Sequence, residues 1–187
     1  MAQQTTGLTS FTSALNYGGA RPSLFEFKIS APPTGVNTTL SDVHLYCNVT
    51  EIPPLTLTPI ERQYFGRTVK IPGDLVFADL STTIINTEKY NVRNEIEKWM
   101  EFINGTISNE SKASADFGTG TAQLIHYQKD GTKTMSYQFE EIWPTAISEI
   151  ALSYDTASDI EQFDVTWAYN YYTFTGGTVN TTFSTQG

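Results

Sequence analysis

Two histidines, one cysteine and a handful of carboxylates are the residues of this chain best equipped for chemistry, and their spacing argues against it. His44 and His126 fall in stretches that alternate like strands, far apart in sequence, with no Cys or carboxylate at metal-ligand spacing, so both read as strand-face residues. Cys47 is the single cysteine and cannot form an internal disulfide; in the strand-like run Val43 to Val49 it reads as a small buried hydrophobe. Glu140-Glu141 and the acidic connector Asp155 to Glu161 are the places to look for the carboxylate pair of glycoside hydrolysis. Adjacent residues on a strand point to opposite faces, so Glu140 and Glu141 cannot flank one bond. No Gly-rich phosphate loop follows a strand, and no serine sits in a nucleophile elbow. The expectation is a chain with no catalytic residue, no metal and no cofactor.

The elements that would position any site are mostly strands. The 187 residues suit one domain, and a bias toward Thr, Phe and Tyr fits pleated, half-buried surface. One segment departs from that pattern. In Thr87 to Asn104, Val92, Ile96, Trp99 and Ile103 repeat at helical spacing while Arg93, Glu97, Lys98 and Glu101 lie off the stripe. Thr87 as N-cap and Asn104-Gly105 as a left-handed stop predict an amphipathic helix of about 25 Å, centred on residues 88–103, lying on a sheet.

Along the chain, residues 1–20 read as a polar arm. Phe25, Phe27 and Ile29 make one face of a first strand, 31–39 a Pro/Gly loop, and Val43, Leu45, Cys47 and Val49 a face of a second. Arg67 to Ile71 reads as a strand, Gly73-Asp74 as a turn, and Leu75 to Ile85 as one or two strands. Ala122 to Gln128 and Lys133 to Phe139 flank Asp130-Gly131, a strong hairpin signal. Trp143-Pro144-Thr145 reads as a corner, Ile147 to Tyr154 and Phe163 to Tyr172 as the last long strands, and residues 173–187 as a polar tail.

Glu51 to Ile60 stands apart, because three prolines keep it from pairing as a central strand while its other residues leave it apolar. Such an extended apolar loop either folds over its own barrel or docks on a neighbouring subunit. The second alternative makes Ile52, Leu55, Leu57, Ile60 and Phe65 the candidate subunit interface.

Charge narrows the partners. The net charge is −9, and after Lys133 there is no Lys or Arg while seven carboxylates follow Phe139, from Glu140 to Asp164. Gripping nucleic acid needs clustered cations, which this third of the chain lacks. No run approaches the roughly 20 apolar residues of a membrane span, so no membrane insertion is expected.

Two stretches carry a family resemblance. Gly66 to Trp99 (GRTVKIPGDLVFADLSTTIINTEKYNVRNEIEKW) and Trp143 to Tyr171 (WPTAISEIALSYDTASDIEQFDVTWAYNY), together with the early Arg21-Pro22-x-Leu24-Phe25, resemble the tail tube proteins of contractile-tailed bacteriophages in order over most of residues 21–172. The resemblance implies a mainly β single domain, a small β-barrel or sandwich with one packed helix. Six copies would close into a ring around one continuous inner β-barrel, and rings would stack into a tube in the virion tail, assembled in the host cytoplasm. It also implies as partners further copies of the chain, a tail sheath, the baseplate hub and the tail terminator, with the tape-measure protein and double-stranded DNA passing through the lumen without tight binding. Residues 1–20, 31–39 and 173–187 are longer than the family pattern requires. A tube protein of a related contractile injection or type VI-like secretion device is the near alternative. A monomeric β-domain that binds carbohydrate or protein through Tyr and Trp faces is the distant one.

Overall fold

The computed structural model describes residues 11, 13, 15, 18–33, 40, 42–111, 118–156 and 159–176. The expectations for the N-terminal arm and the 31–39 loop therefore fall largely outside the described residues, and that for the tail beyond Gly176 does so entirely. The chain runs β1 (Phe25–Ala31), α1 (Val43–Tyr46), β2 (Cys47–Thr50), β3 (Leu55–Tyr64), β4 (Arg67–Phe77), β5 (Leu80–Ile85), α2 (Asn91–Ile103), β6 (Gly120–Tyr127), β7 (Lys133–Ile147), β8 (Gln162–Ala168) and β9 (Tyr171–Gly176).

Seven strands form one sheet in the order β1-β6-β7-β8-β5-β2, with β9 also on β7, while β3 and β4 pair only with each other. The 15-residue β7 holds the sheet together. Its first half lies between β6 and β9, and Trp143 to Ile147 pair with β8. The change of ladder falls at Glu141, whose φ of 54° is left-handed, so the expected corner at Trp143-Pro144-Thr145 sits two residues earlier and does not interrupt the strand. Opposite it, Asn170 donates from its backbone N–H to the Glu140 carbonyl and from Nδ2 to Glu141 Oε2, which splits the expected strand Phe163 to Tyr172 into β8 and β9. β1 and β2 end the sheet without bonding to each other, so among the described residues no barrel closes within one chain.

Phe27 and Ile29 of β1, Leu80 and Ile84 of β5, Phe139 and Ile142 of β7, and Val165 and Trp167 of β8 share one core with Val92, Ile96 and Trp99 of α2. The indoles of Trp99 and Trp167 lie 5.7 Å apart. Their polar ends are paired: Trp99 Nε1 donates to the Gly118 carbonyl at 2.7 Å, and Trp167 Nε1 to Thr82 Oγ1 at 2.9 Å. An indole buried with its N–H satisfied keeps its full apolar contribution, about 2–3 kcal/mol each.

The helix is real but shorter than its periodicity, and its caps differ. Thr87 does not cap it, and its buried hydroxyl has no partner among the described residues. Instead Tyr90, at φ 54°, precedes the first turn, and its hydroxyl donates to Glu161 Oε2 at 2.8 Å. The C-cap Asn104 is extended at φ −145° rather than left-handed. The 13 residues span about 20 Å.

Three further expectations are corrected. Val43 to Val49 is not a single strand: Val43–Tyr46 is one helical turn, so His44 sits on α1, and only Cys47–Thr50 pairs, with β5. Residues 148–153 after β7 form no strand and lead into a short 3-10 turn, Tyr154–Thr156. Gly73-Asp74 is not a turn but lies inside β4, at the register shift opposite Leu57 and Pro59. The Asp130-Gly131 hairpin forms as expected, with Gly131 at φ 83° and the Asp130 carboxylate accepting the Thr132 N–H at 2.9 Å. That bond holds the Asp130 carboxyl below its ordinary range.

Candidate assembly surface

The segment read as an apolar loop is one strand of a long two-stranded hairpin. Its three prolines do not forbid this, because Pro53 and Pro54 precede β3, and Pro59 sits opposite Pro72 at the register shift, where ladder bonds are already interrupted. The turn is Phe65-Gly66, with φ of 46° and 76°. Two central residues at positive φ are the turn geometry that matches the twist of paired strands. At Gly73 a Cβ would run into the Thr58 carbonyl oxygen and would sit 2.9 Å from Ile60 Cγ1, so the shift requires glycine.

The register sorts the hairpin into two faces. On one, Leu55 and Leu57 lie opposite Phe77 and Leu75 near the root, and Glu61–Lys70 at 3.0 Å and Gln63–Thr68 at 2.9 Å lie farther out. On the other, Ile60 faces Ile71, Arg62 faces Val69, and Tyr64 faces Arg67. The root is tied to the core through the Phe77 ring, 5.3 Å from that of Tyr172 and 6.1 Å from that of Tyr169.

Both faces are open. Leu55, Leu57, Ile60, Val69, Ile71, Leu75 and Val76 are each about half exposed, and Phe65 at the tip is 88% exposed. A lone two-stranded ribbon is marginal in water, and this much exposed apolar surface makes it the candidate for a contact with a partner. Of the five candidate interface residues, Leu55, Leu57, Ile60 and Phe65 fall on this one element. Ile52 lies before it, on the wall of a separate groove of about 380 Å³ with Phe25, Leu124 and Tyr137. The β4 half of the surface, from Arg67 to Val76, was missed. Its signal was the Phe-Gly pair between two alternating runs, which reads as a hairpin turn once Phe is allowed a left-handed conformation.

The chemistry-bearing side chains do not converge. His126 Nε2 lies 2.9 Å from the Arg21 carbonyl oxygen. Glu140 Oε1 accepts from Gln138 and Glu141 Oε2 from Asn170, separate partners for neighbouring carboxylates. Burial pushes the Cys47 thiol up to about 12, and its Sγ–H points to the Val49 carbonyl at 3.6 Å. The hydrogen bond from Tyr127 to Glu26 pushes that phenol up to about 12 as well. Among the described residues no three His, Cys, Asp or Glu are grouped to hold a metal ion, and no helix is long and apolar enough to cross a membrane.

Comparison with known proteins matches residues 20–175 to the family described as phage tail tube protein. The tail tube protein gp19 of Enterobacteria phage T4 is 27% identical over 154 residues, covering 82% of this chain and 90% of that one. The tail tube protein of Serratia phage KSP90 is 29% identical over 161 residues, covering 83% and 90%. Among solved structures, the tube terminating cap of the anti-feeding prophage superposes with a TM-score of 0.64 at 14% identity, over 95% of this chain and 100% of that one. The sheath-tube complex of an extracellular contractile injection system, PVC, superposes at 0.59 and 15% identity, over 92% and 99%. At those identities the structural likeness speaks for the fold alone.

Proposed function

The chain belongs to the phage tail tube protein family, and from that premise we propose that six copies close into a ring and that the rings stack into the hollow inner tube through which the phage genome leaves. Its place is the virion tail, and its role there is structural, not enzymatic. The observation that carries the assembly reading is the β3–β4 hairpin, a ribbon of about 30 Å with apolar residues open on both faces. A surface of this kind on a family member that works as a polymer is spent on other copies. Ring closure also answers the open sheet, because β1 and β2 each offer an unpaired edge that a neighbour can cover. A head-to-tail contact repeated about an axis generates such rings.

The tail sheath around the tube, the baseplate hub at one end and the terminator at the other are the partners that follow. The tape-measure protein and the DNA occupy the lumen without being gripped. The test is a double substitution, Leu55→Asp with Leu57→Asp, viewed by negative-stain microscopy beside the wild type. The wild type is expected to give rings or tubes. The variant is expected to keep its circular dichroism and melting transition but to form no tubes, since both side chains are open in the free subunit. Full-length tubes from the variant, or its outright unfolding, would remove the hairpin from the interface.

A further inference from the structure

Two hollows adjoin at the start of β1. One is the apolar groove of about 380 Å³ behind Ile52, walled also by Pro22, Phe25, Leu124 and Tyr137. The other is a cavity of about 230 Å³ beside the β6–β7 turn, lined by Arg21, Leu24, Tyr127, Lys129 and Thr134. Ala20 and His126 belong to both and form the wall between them. That wall is fixed in place: His126 Nε2 lies 2.9 Å from the Arg21 carbonyl oxygen, and the Tyr127 N–H donates to the Leu24 carbonyl at 2.8 Å. Arg21 and Lys129 enter no ion pair among the described residues, and no Asp or Glu lines the cavity with them. In a chain of net charge −9, two cations gathered in one hollow without a counter-charge are set to receive an anion from outside. With the groove alongside, the whole site fits a carboxylate and an apolar group carried side by side.

The same chain carries that combination elsewhere. Between β7 and β8, Leu152, Tyr154 and Ile160 are 78%, 104% and 69% exposed, in a stretch that contributes Glu149, Asp155, Asp159 and Glu161 and no cation. Glu161 is occupied internally by Asn86 and Tyr90, whereas Glu149, Asp155 and Asp159 enter no ion pair among the described residues. The 3-10 turn Tyr154–Thr156 sets an aromatic ring and a carboxylate on consecutive residues, and the Asp155 N–H donates to Ser153 Oγ at 3.2 Å within it. Neighbouring side chains on a turn are spaced like two hollows that share one wall.

Within one copy the two surfaces cannot meet. β5 pairs with β8 from Leu80↔Trp167 to Ile85↔Gln162, about 20 Å of strand. The groove lies toward the first end, since Thr50 on its wall pairs with Thr82 and donates from Oγ1 to the Ser81 carbonyl. The acidic stretch is fastened at the other, where Asn86 N donates to the Glu161 carbonyl at 2.8 Å. β7 repeats the separation, because Thr134 and Tyr137 stand near its start and the stretch begins after its last residue, Ile147. Two copies can join one pole to the opposite pole. Such a contact leaves each copy with one surface still open and so repeats from copy to copy.

We propose that a second copy seats its Tyr154 ring in the groove against Phe25, Ile52 and Tyr137 and places its Asp155 carboxylate in the cavity on Arg21 and Lys129, with Asp159 beside it. The contact rests on the tube reading above and involves no residue of the β3–β4 hairpin. The experiment reverses charge on each side at positions that are exposed in the free subunit. Arg21→Glu with Lys129→Glu, and separately Asp155→Lys with Asp159→Lys, are each expected to raise the protein concentration at which half the chains sediment as assemblies by about tenfold or more. All four substitutions in one chain are expected to bring it back to within about threefold of the wild type, because the pairs are re-formed with their signs exchanged. Tyr154→Ala is expected to weaken assembly in the same sense while leaving the melting temperature of the dissociated subunit unchanged. A cavity variant that assembles at the wild-type concentration overturns the pairing, as does a fourfold variant that shows no recovery. A wild type that forms neither rings nor tubes fails at the earlier step and refutes the tube reading itself. As a direct readout, Lys129→Cys with Asp155→Cys on a Cys47→Ser background is expected to give, when assemblies are treated with a short bis-maleimide, a ladder of linked chains that the dissociated subunit does not give. Assemblies without that ladder also overturn the pairing.

Discussion

The two indoles at the centre set the tolerance of individual residues. Trp99 is fully buried, packs at a tilt against Trp167 and donates to the Gly118 carbonyl, so Trp99→Ala leaves a cavity and an unpaired acceptor together. The expected loss is about 3–5 kcal/mol in urea denaturation, enough to leave a marginal domain partly unfolded. Cys47 read as a small buried hydrophobe from its solitude and its strand-like run; the structure leaves it half-buried, enough to raise its pKa from 9.0 to about 12. The native fold thus favours the protonated thiol. Stability linked to it is fully present below pH 9 and is lost as pH rises toward 12. At pH 8, alkylation by iodoacetamide is expected to run on the order of a hundredfold slower in the native chain than in the urea-unfolded one, because the thiolate is the nucleophile. Comparable rates would mean that the site opens freely. Tyr90 and its bond to Glu161, in contrast, were hidden from sequence: at that left-handed helix entry the partner is a carboxylate 71 residues away.

Elements with a local signature were readable, and those decided by distant pairing were not. The stripe Val92, Ile96, Trp99 located α2, and Asp130-Gly131 located its hairpin, because periodicity and turn chemistry act within a dozen residues. The β3–β4 hairpin was half seen. Its prolines suggested a loop, yet a proline opposite another proline at a register shift costs the ladder little, and that depends on β4. Its apolar residues, with nowhere in the chain's own core to go, were nonetheless visible. The break between β8 and β9 and the coil after Ile147 had no local marker, since Glu141 and Asn170 create the first from opposite strands. Phe65 stands at the tip of the β3–β4 hairpin. A phenylalanine at φ 46° costs about 1 kcal/mol or more relative to residues at ease there, and its ring is 88% exposed, so the free subunit gains little from it. Phe65→Asn, which suits the left-handed position, is expected to leave the melting temperature of the dissociated subunit unchanged or raised while shortening the tubes seen by microscopy. A variant that melts lower with normal tubes would assign Phe65 to the fold instead.

At the scale of the assembled molecule, charge decides what can move inside. In the proposed ring, six copies at −9 place about 54 formal negative charges, and a hollow ring has little room to keep them all on its outer wall. Arg62 and Arg67, two of the cations that enter no ion pair among the described residues, stand on the hairpin, which the assembly reading places in a contact between copies. The lumen is expected to be lined mainly by carboxylates and neutral polar groups. A lining of Lys and Arg would hold phosphates through counterion release, each contact adding affinity and the contacts multiplying along a stack of rings, so a passing duplex would stall. A negative or neutral wall repels the backbone and keeps a layer of water and cations between it and the DNA. Intact tubes are therefore expected to leave short double-stranded DNA unbound in fluorescence anisotropy at about 20–50 mM salt, where any cationic surface would show its strongest binding. The arrangement that would defeat this has the acidic residues beyond Lys133 turned outward to a basic sheath and Lys129, Lys133 and Arg67 turned inward. Anisotropy rising with tube concentration and abolished near 200 mM salt would establish that arrangement, and a structure of the tube whose luminal Lys and Arg outnumber its Asp and Glu would do so directly.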